Sequence, residues 1–413
     1  MDTRFVEYVE PSEFPTLLGR KDARIMANFR LTDSNVTLAN TIRRVILSHT
    51  HSVGFRTEPY EKSDVEILTN TTPLVNEMIA HRVGMIPICA DPTTFDPSLY
   101  EFHLDMENTT KEMMDVRASD FKVYRKNPEN SLGTQVLVRT EEFFPPDPIT
   151  GETVLITRLR PQWNPAAMNE CLKLRAKACV SNGKENIRWS PVTQVSYEYT
   201  PNTNPDHIQE VFVNWLLANK KIGDVDSLPA DKRKELEREF ATMEIQRCYK
   251  RNEKNDPNDF TFHIESVGVL SVPDIVRAGL RQCEALVAKY KDVETIPNSN
   301  IVFQIGDSRF PSVDIVFQEE DHTLGNLLET YIVENHVDGV ELPRVQYCGY
   351  KVPHPLRKEM FVRLDTRTLE EKDGNTVVPN EMMIDRAKKV LANVCRILLL
   401  EFQSLSQEWL KKK

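Results

Sequence analysis

The chain has 413 residues, room for two or three domains with separate cores, and its 40% apolar and 28% charged content is that of a soluble globular protein. A net charge of −10 excludes a global basic field that would draw it to nucleic acid. Its seven cysteines (Cys89, Cys171, Cys179, Cys248, Cys283, Cys348, Cys395) contain no C-x-x-C pair, which excludes that type of zinc or redox site and suggests buried thiols in a reducing compartment.

The amino terminus, Met1-Asp2-Thr3-Arg4, lacks the basic start and apolar run of a secretion signal, so an intracellular chain is expected. Ile25, Ala27, Phe29 and Leu31 alternate as a strand does. Behind them Thr37-Leu38-Ala39-Asn40-Thr41-Ile42-Arg43-Arg44-Val45-Ile46 sets Leu38, Ile42, Val45 and Ile46 at helical spacing, a strand followed by an amphipathic helix. His49-Thr50-His51 offers two imidazoles without a neighbouring carboxylate or thiol, and reads as polar residues at a helix end. Thr72-Pro73 predicts the start of a short helix, with Thr72 as N-cap and proline in the first turn. That helix carries Asn76 through Arg82 and stops at Gly84. Strand-like runs follow at 135–138 and 153–156, separated by the turn Pro145-Pro146-Asp147-Pro148.

A helical stretch is expected over about 208–247, with Pro229 near the start of its second helix. Asp224-Val225-Asp226 inside it reads as a solvated turn. Phe260-Thr261-Phe262-His263-Ile264 is a strand, and from Pro273 the residues Val276, Leu280, Cys283, Val287 and Tyr290 form an apolar seam at about 3.5-residue steps. After a connection, Val313, Ile315 and Phe317 alternate again. They lead into Thr323-Leu324-Gly325-Asn326-Leu327-Leu328-Glu329-Thr330-Tyr331-Ile332. This is a second copy of the first motif at a constant offset of 286, with Leu324, Leu328, Tyr331 and Ile332 on one stripe. A last helix from about Asn380 aligns Ala387, Leu391, Val394, Leu398, Leu405 and Trp409. The apolar run Ile397–Leu400 falls far short of the ~20 residues that span a bilayer.

The two copies differ where Arg43 and Arg44 of the first become Glu329 and Thr330 of the second. A common core accounts for the matched apolar positions but needs no adjacent guanidinium groups. With Asn40, the basic pair is read as an outward docking face, since arginine forks suit carboxylates and carbonyls. A merely solvated helix face is the alternative.

Several segments resemble the third-largest subunit of eukaryotic RNA polymerase II, with archaeal D and bacterial alpha subunits as its relatives. They are Arg24 through Val45, Asn76-Glu77-Met78-Ile79-Ala80-His81-Arg82-Val83-Gly84-Met85-Ile86-Pro87-Ile88, Ile156-Thr157-Arg158-Leu159-Arg160-Pro161, Gly183-Lys184 with Trp189-Ser190-Pro191, and Phe262 through Gly268. From Val313 onward the chain resembles the small partner of that subunit, archaeal L-like, through Glu320-Asp321-His322-Thr323-Leu324-Gly325-Asn326-Leu327-Leu328 and Gly349-Tyr350-Lys351-Val352-Pro353-His354-Pro355-Leu356. The resemblance implies an α+β fold: two alpha-type dimerisation modules, each an antiparallel sheet plus helices, clasped as an intramolecular pseudo-heterodimer, with a β-rich insert in the first half. The expected division is 1–52 with 192–293 for the first module, 53–191 for the insert, 294–311 for a linker and 312–413 for the second module.

It further implies a non-catalytic assembly subunit of a DNA-directed RNA polymerase, whose partners are the largest and second-largest subunits and small zinc-binding subunits. No direct sequence-specific DNA contact, membrane or homo-oligomer is expected. Arg43, Arg44, Asn40, His81 and Arg82 are the expected residues toward the large subunits. Lys351, Pro353, His354 and Pro355 form a partner-facing turn. Leu38, Ile42, Val45, Ile46, Leu324, Leu328, Tyr331, Ile332, Val276, Leu280, Leu391, Val394 and Leu398 are expected to hold the halves together. The family's cysteine-rich zinc loop is replaced here by Cys89-Ala90-Asp91-Pro92-Thr93-Thr94-Phe95, so no metal or other cofactor is expected. Joined halves resemble the polymerases of large cytoplasmic DNA viruses, which implies host cytoplasm and virion. The rival readings are an enzyme using His81, His263 or His354 as base, and a DNA-binding factor. The first needs a nucleophile or metal beside a histidine, and the second a basic face. Two-metal chemistry would need converging carboxylates, and no such motif is present.

Overall fold

The computed structural model describes residues 4–9, 26–126, 135–147, 149–163, 168–223, 229–306, 311–368, 371 and 378–411. Arg24, Ile25, Pro148, Asp224-Val225-Asp226 and Lys412-Lys413 lie outside the described residues. The described helices are α1 (Val36–Ser48), α2 (Asn76–Gly84), α3 (Pro205–Trp215), α4 (Ala230–Met243), α5 (Val272–Ala288), α6 (His322–Ile332) and α7 (Asn380–Leu410).

Alternation over Ala27, Phe29 and Leu31 produces the strand Met26–Thr32, with those three side chains buried. It lies second in an antiparallel sheet ordered Phe5–Val9, Met26–Thr32, Asp259–Ser266, Val192–Tyr199. Asn35 ends the strand connection and starts α1, its Oδ1 accepting from the Leu38 amide (2.7 Å) as an N-cap should. The helix then turns Leu38, Ile42, Val45 and Ile46 inward, all at most 2% exposed. The second half repeats the plan. Its sheet runs Ile301–Ile305, Val313–Gln318, Glu359–Asp365, Tyr347–Lys351, and Asp321 caps α6 by accepting from the Thr323 amide (2.8 Å).

The strand Ile301–Ile305 corrects the expected linker over 294–311, because it pairs along its length with Val313–Phe317. It was hidden from the alternation pattern because it is an edge strand with a single buried residue, Ile301. A second correction concerns α2. Thr72 is not its N-cap: its amide and hydroxyl both donate to Asn70 Oδ1 (2.9 and 2.7 Å), an Asx-type turn that competes with capping, and the helix begins at Asn76. Gly84 does end α2. Its lack of a side chain makes room for the Arg188 guanidinium and Thr57 rather than providing a left-handed turn.

Residues 53–191 carry a separate core around Phe55, Phe102, Phe121, Leu172 and Leu174. It lies against a five-stranded antiparallel sheet ordered Val65–Asn70, Cys171–Ala176, Tyr100–Glu107, Lys122–Lys126, Gln135–Val138. The expected helical stretch is α3 and α4, closed on its own small core of Phe212, Trp215, Leu216, Leu236 and Phe240. Pro229 stands at the N-cap of α4.

One core joins the two halves. Leu38, Ile42, Val276, Leu280, Leu324, Leu328, Leu391, Val394 and Leu398 belong to a single buried cluster that runs from Phe5 to Trp409. The α1–α5 contact within it is close: a Cβ at Gly279 would stand 2.5 Å from Ile46 Cγ1. Gly279→Val is therefore expected to destabilise the chain by about 1–3 kcal/mol, seen as a lower urea midpoint, because the packed helices cannot spread without losing their neighbours. An unchanged midpoint would show that the helices can separate freely there.

Candidate functional site

The two motif helices meet across the seam in an exchanged pattern. Arg44 Nε of α1 donates to Thr323 Oγ1 of α6 (2.9 Å). The residue matching Arg44 in the second copy, Thr330, shares a hydrogen bond with Thr37, the residue matching Thr323 (3.1 Å). Position 44 thus meets position 37 of the other copy, and the reverse, which is the reciprocity of a two-fold interface built within one chain. Asn326 Nδ2 adds a donor to Thr37 Oγ1 (3.4 Å).

Around this centre the first half supplies cations and the second supplies acids. Lys184 Nζ donates to the Glu319 carbonyl (3.2 Å) and faces Asp321 at 4.0 Å. Lys289 Nζ (3.1 Å) and the Tyr290 hydroxyl (2.9 Å) both donate to Glu320 Oε1, a carboxylate only 6% exposed. His49, beside Lys184, has its pKa pushed down to about 4, first by burial and then by that cation, so the ring is neutral in the seam. Burial works to raise the Asp321 carboxyl, but hydrogen bonds from Thr323 and the charges of Lys184 and Arg44 hold it below the usual range. The sequence reading did not pick out Lys184, Lys289 or Glu320 as seam residues. Their signal was the acidic run Glu319-Glu320-Asp321 just before the second helix.

Arg44, read from sequence as outward-facing, therefore commits its Nε inside the chain. Arg43 is half-buried, its Nε donating to Asn40 Oδ1 (3.0 Å), and among the described residues neither arginine has a carboxylate partner. On α2, Arg82 stays exposed, but its Nε and Nη2 donate to the carbonyls of Ile156 (2.5 Å) and Leu155 (2.9 Å), which clamps the helix to the strand Leu155–Leu159. His81 stays exposed beside Val75, Met78 and Met85, which are 57%, 53% and 51% exposed. Met78 on α2 and the residues that cap its two ends, Val75 and Met85, are uncovered apolar side chains of the kind that mark contact surfaces. Lys351, Pro353, His354 and Pro355 are all exposed, and His354 Nδ1 accepts from the Leu356 amide (3.1 Å), which rigidifies the turn.

His263 Nδ1 pairs with Asn28 Oδ1 (3.0 Å), and His354 is spent on its own turn. Among the described residues, no group of three His, Cys, Asp or Glu is placed to hold a metal ion. Cys89 donates its thiol to the Gly268 carbonyl (3.6 Å).

A sequence profile of the RNA polymerase Rpb3/Rpb11 dimerisation domain matches residues 28–286, and another of the same description matches 312–408. The chain belongs to the RNA polymerase Rpb3/Rpb11 dimerisation-domain family. It is 26% identical over 284 residues to DNA-directed RNA polymerase II subunit RPB3 of Schizosaccharomyces pombe, covering 63% of this chain and 81% of that one. It is 28% identical over 211 residues to the rpac1 subunit of DNA-directed RNA polymerases I and III of Dictyostelium discoideum, 48% of this chain and 57% of that one. It is also 27% identical over 122 residues to RPB11 of S. pombe, 29% of this chain and 84% of that one. The exchanged α1–α6 contact is thus a meeting of two Rpb3/Rpb11-type modules that are joined in one polypeptide.

Proposed function

We propose that this chain is a non-catalytic assembly subunit of a DNA-directed RNA polymerase, an alpha-like platform on which the two large subunits dock. The observation that carries this reading is the single core shared by two Rpb3/Rpb11-type modules. Joining the modules sets their effective concentration on the order of millimolar, so the platform forms without waiting for a second chain. The docking faces are the exposed side of α2 (Val75, Met78, His81, Met85) and Arg43 on α1, with Lys351 through Pro355 as a turn toward smaller, zinc-binding subunits. The chain itself takes no cofactor and makes no sequence-specific DNA contact in this reading. The joined halves favour a viral polymerase, active in host cytoplasm and carried in the virion; immunoblotting of purified particles tests that location.

Met78→Glu with Met85→Glu, and separately Arg43→Ala, test the docking faces. Each change alters an exposed or half-exposed side chain, so the thermal midpoint of the isolated chain should hold. Recovery of the large subunits on the tagged chain should fall about tenfold for the methionine pair, the scale of a hot-spot loss. Full recovery with both variants would remove these faces from the interface. Arg44→Ala is a poorer probe, since it also breaks the bond to Thr323.

A further inference from the structure

Four described arginines satisfy the Nε/Nη2 edge of the guanidinium with both oxygens of one carboxylate. Arg30 does so with Asp259, Arg56 with Glu185, Arg363 with Asp314 and Arg367 with Asp365, at distances from 2.5 to 3.2 Å. Arg188 departs from this pattern. Its side chain is only 3% exposed, and Nη1 donates to Thr57 Oγ1 (2.5 Å) and the Phe55 carbonyl (3.3 Å). Nε, however, is buried with no acceptor among the described residues, and Nη2 lies 3.8 Å from Glu58 Oε2. Burying a cation whose partners are incomplete is unfavourable, and an anion close to it offsets that cost.

The surroundings suit such an anion. Arg188 lines an open cleft of about 540 Å³ with Arg56, Glu58, Lys62, Glu185 and Trp189. Among the lining residues three cations (Arg56, Lys62, Arg188) stand with two carboxylates (Glu58, Glu185); Arg56 and Lys62 both act on Glu185, and Arg188 pairs loosely with Glu58. Glu58 is 64% exposed, a carboxylate free to swing out of the cleft. Next in sequence to the lining residues Pro59 and Arg188, the chain exposes Tyr60 (85%) and Ile187 (63%), large apolar groups that a bare ion could not cover but a polypeptide could.

We propose that this cleft receives the carboxylate side chain of an acidic segment of another polypeptide, with the cleft-lining Lys62 and Arg188 as its cationic contacts and Tyr60 and Ile187 packing against the flanking residues. The excess of one cation over the carboxylates of the lining supplies the complementarity, and the neighbouring exposed apolar residues select a peptide over a free anion. The inference stands on the cleft alone, whichever complex the chain joins.

The test observes the arginine Nε–H resonances of the full chain by NMR, with Arg188→Lys assigning the Arg188 signal by its disappearance. The probes are acetyl-Leu-Glu-Leu-amide, its glutamine counterpart and inorganic phosphate. The Arg188 signal should move with the glutamate peptide and stay in place with the glutamine peptide, and phosphate should need about tenfold more ligand for the same shift. Glu58→Gln should strengthen peptide binding by removing the competing carboxylate. Tyr60→Ser should weaken peptide binding and leave the phosphate response unchanged. Both substitutions fall on exposed side chains and keep the test open if Arg188→Lys fails to fold. A signal that ignores every anion in wild type and in Glu58→Gln would make Arg188 a structural residue and overturn the proposal. Equal responses to phosphate and peptide, insensitive to Tyr60→Ser, would overturn the polypeptide occupant in favour of a bare anion site.

Discussion

Trp409→Ala is expected to destabilise the whole chain by about 3–5 kcal/mol, although Trp409 lies near the far end of the sequence. The side chain is 7% exposed and sits edge-on to two rings of the first half, Phe5 and Phe29, each with centroids 5.1 Å away. Phe29 in turn stacks on Phe262 at 5.0 Å, so the indole closes the core of the first sheet. Its Nε1 donates to the Pro273 carbonyl (3.1 Å), fastening the end of α7 to the start of α5. Arg4 strengthens the same junction with ion pairs to Glu401 (3.1 Å) and Glu408 (3.4 Å). Removing the indole leaves a cavity on the first half's side of the seam. Hydrogen exchange should quicken in the Met26–Thr32 strand, and the urea midpoint should fall. Trp163→Ala, at a residue 81% exposed, should stay within about 0.5 kcal/mol of wild type. If exchange quickened only within α7, the two halves would not share the core described above.

Asp259→Ala is expected to cost about 3 kcal/mol, toward the lower end for breaking a buried ion pair. Asp259 is 5% exposed and accepts from Arg30 Nε (3.2 Å) and Nη2 (2.5 Å), Thr200 Oγ1 (2.6 Å) and Lys250 Nζ (3.3 Å). Without the carboxylate, Arg30, three-quarters buried, loses the two hydrogen bonds its Nε and Nη2 make to Asp259. Burial pushes the Asp259 carboxyl up, but the hydrogen bonds from Arg30 and Thr200 and the nearby charges hold it below its ordinary 3.8. A carboxyl lowered by folding contributes stability that is fully present above its unfolded value and is lost as pH falls through the lowered one. Urea midpoints taken between pH 3 and 7 should therefore show a smaller acid decline in Asp259→Ala than in wild type. Parallel acid limbs would mean that other carboxylates govern that decline.

Much of this architecture was legible in the residues. The apolar period of Leu38/Ile42/Val45/Ile46 and of Leu324/Leu328/Tyr331/Ile332 predicts two amphipathic helices, and these are α1 and α6 with those faces buried. Long helices such as α7 read well because many turns repeat one stripe. The misreadings fell where a local competitor decides. Asn70 captured Thr72 and moved the start of α2, and a strand with one buried residue left no alternation to read at 301–305. Arg44 and Arg82 were legible as unusual but not in direction, because the acceptors at Thr323, Leu155 and Ile156 are remote in sequence.

Residue order alone determined that this protein carries two related strand–helix units with matched buried stripes, since hydrophobic period is a local property. Only the tertiary structure decided that the stripes pair with each other in one core, that Arg44 and Thr330 exchange partners across the seam, and that Arg188 is buried with no acceptor for its Nε among the described residues. Those outcomes depend on distances between side chains far apart along the chain, which burial and packing set and which no local pattern encodes.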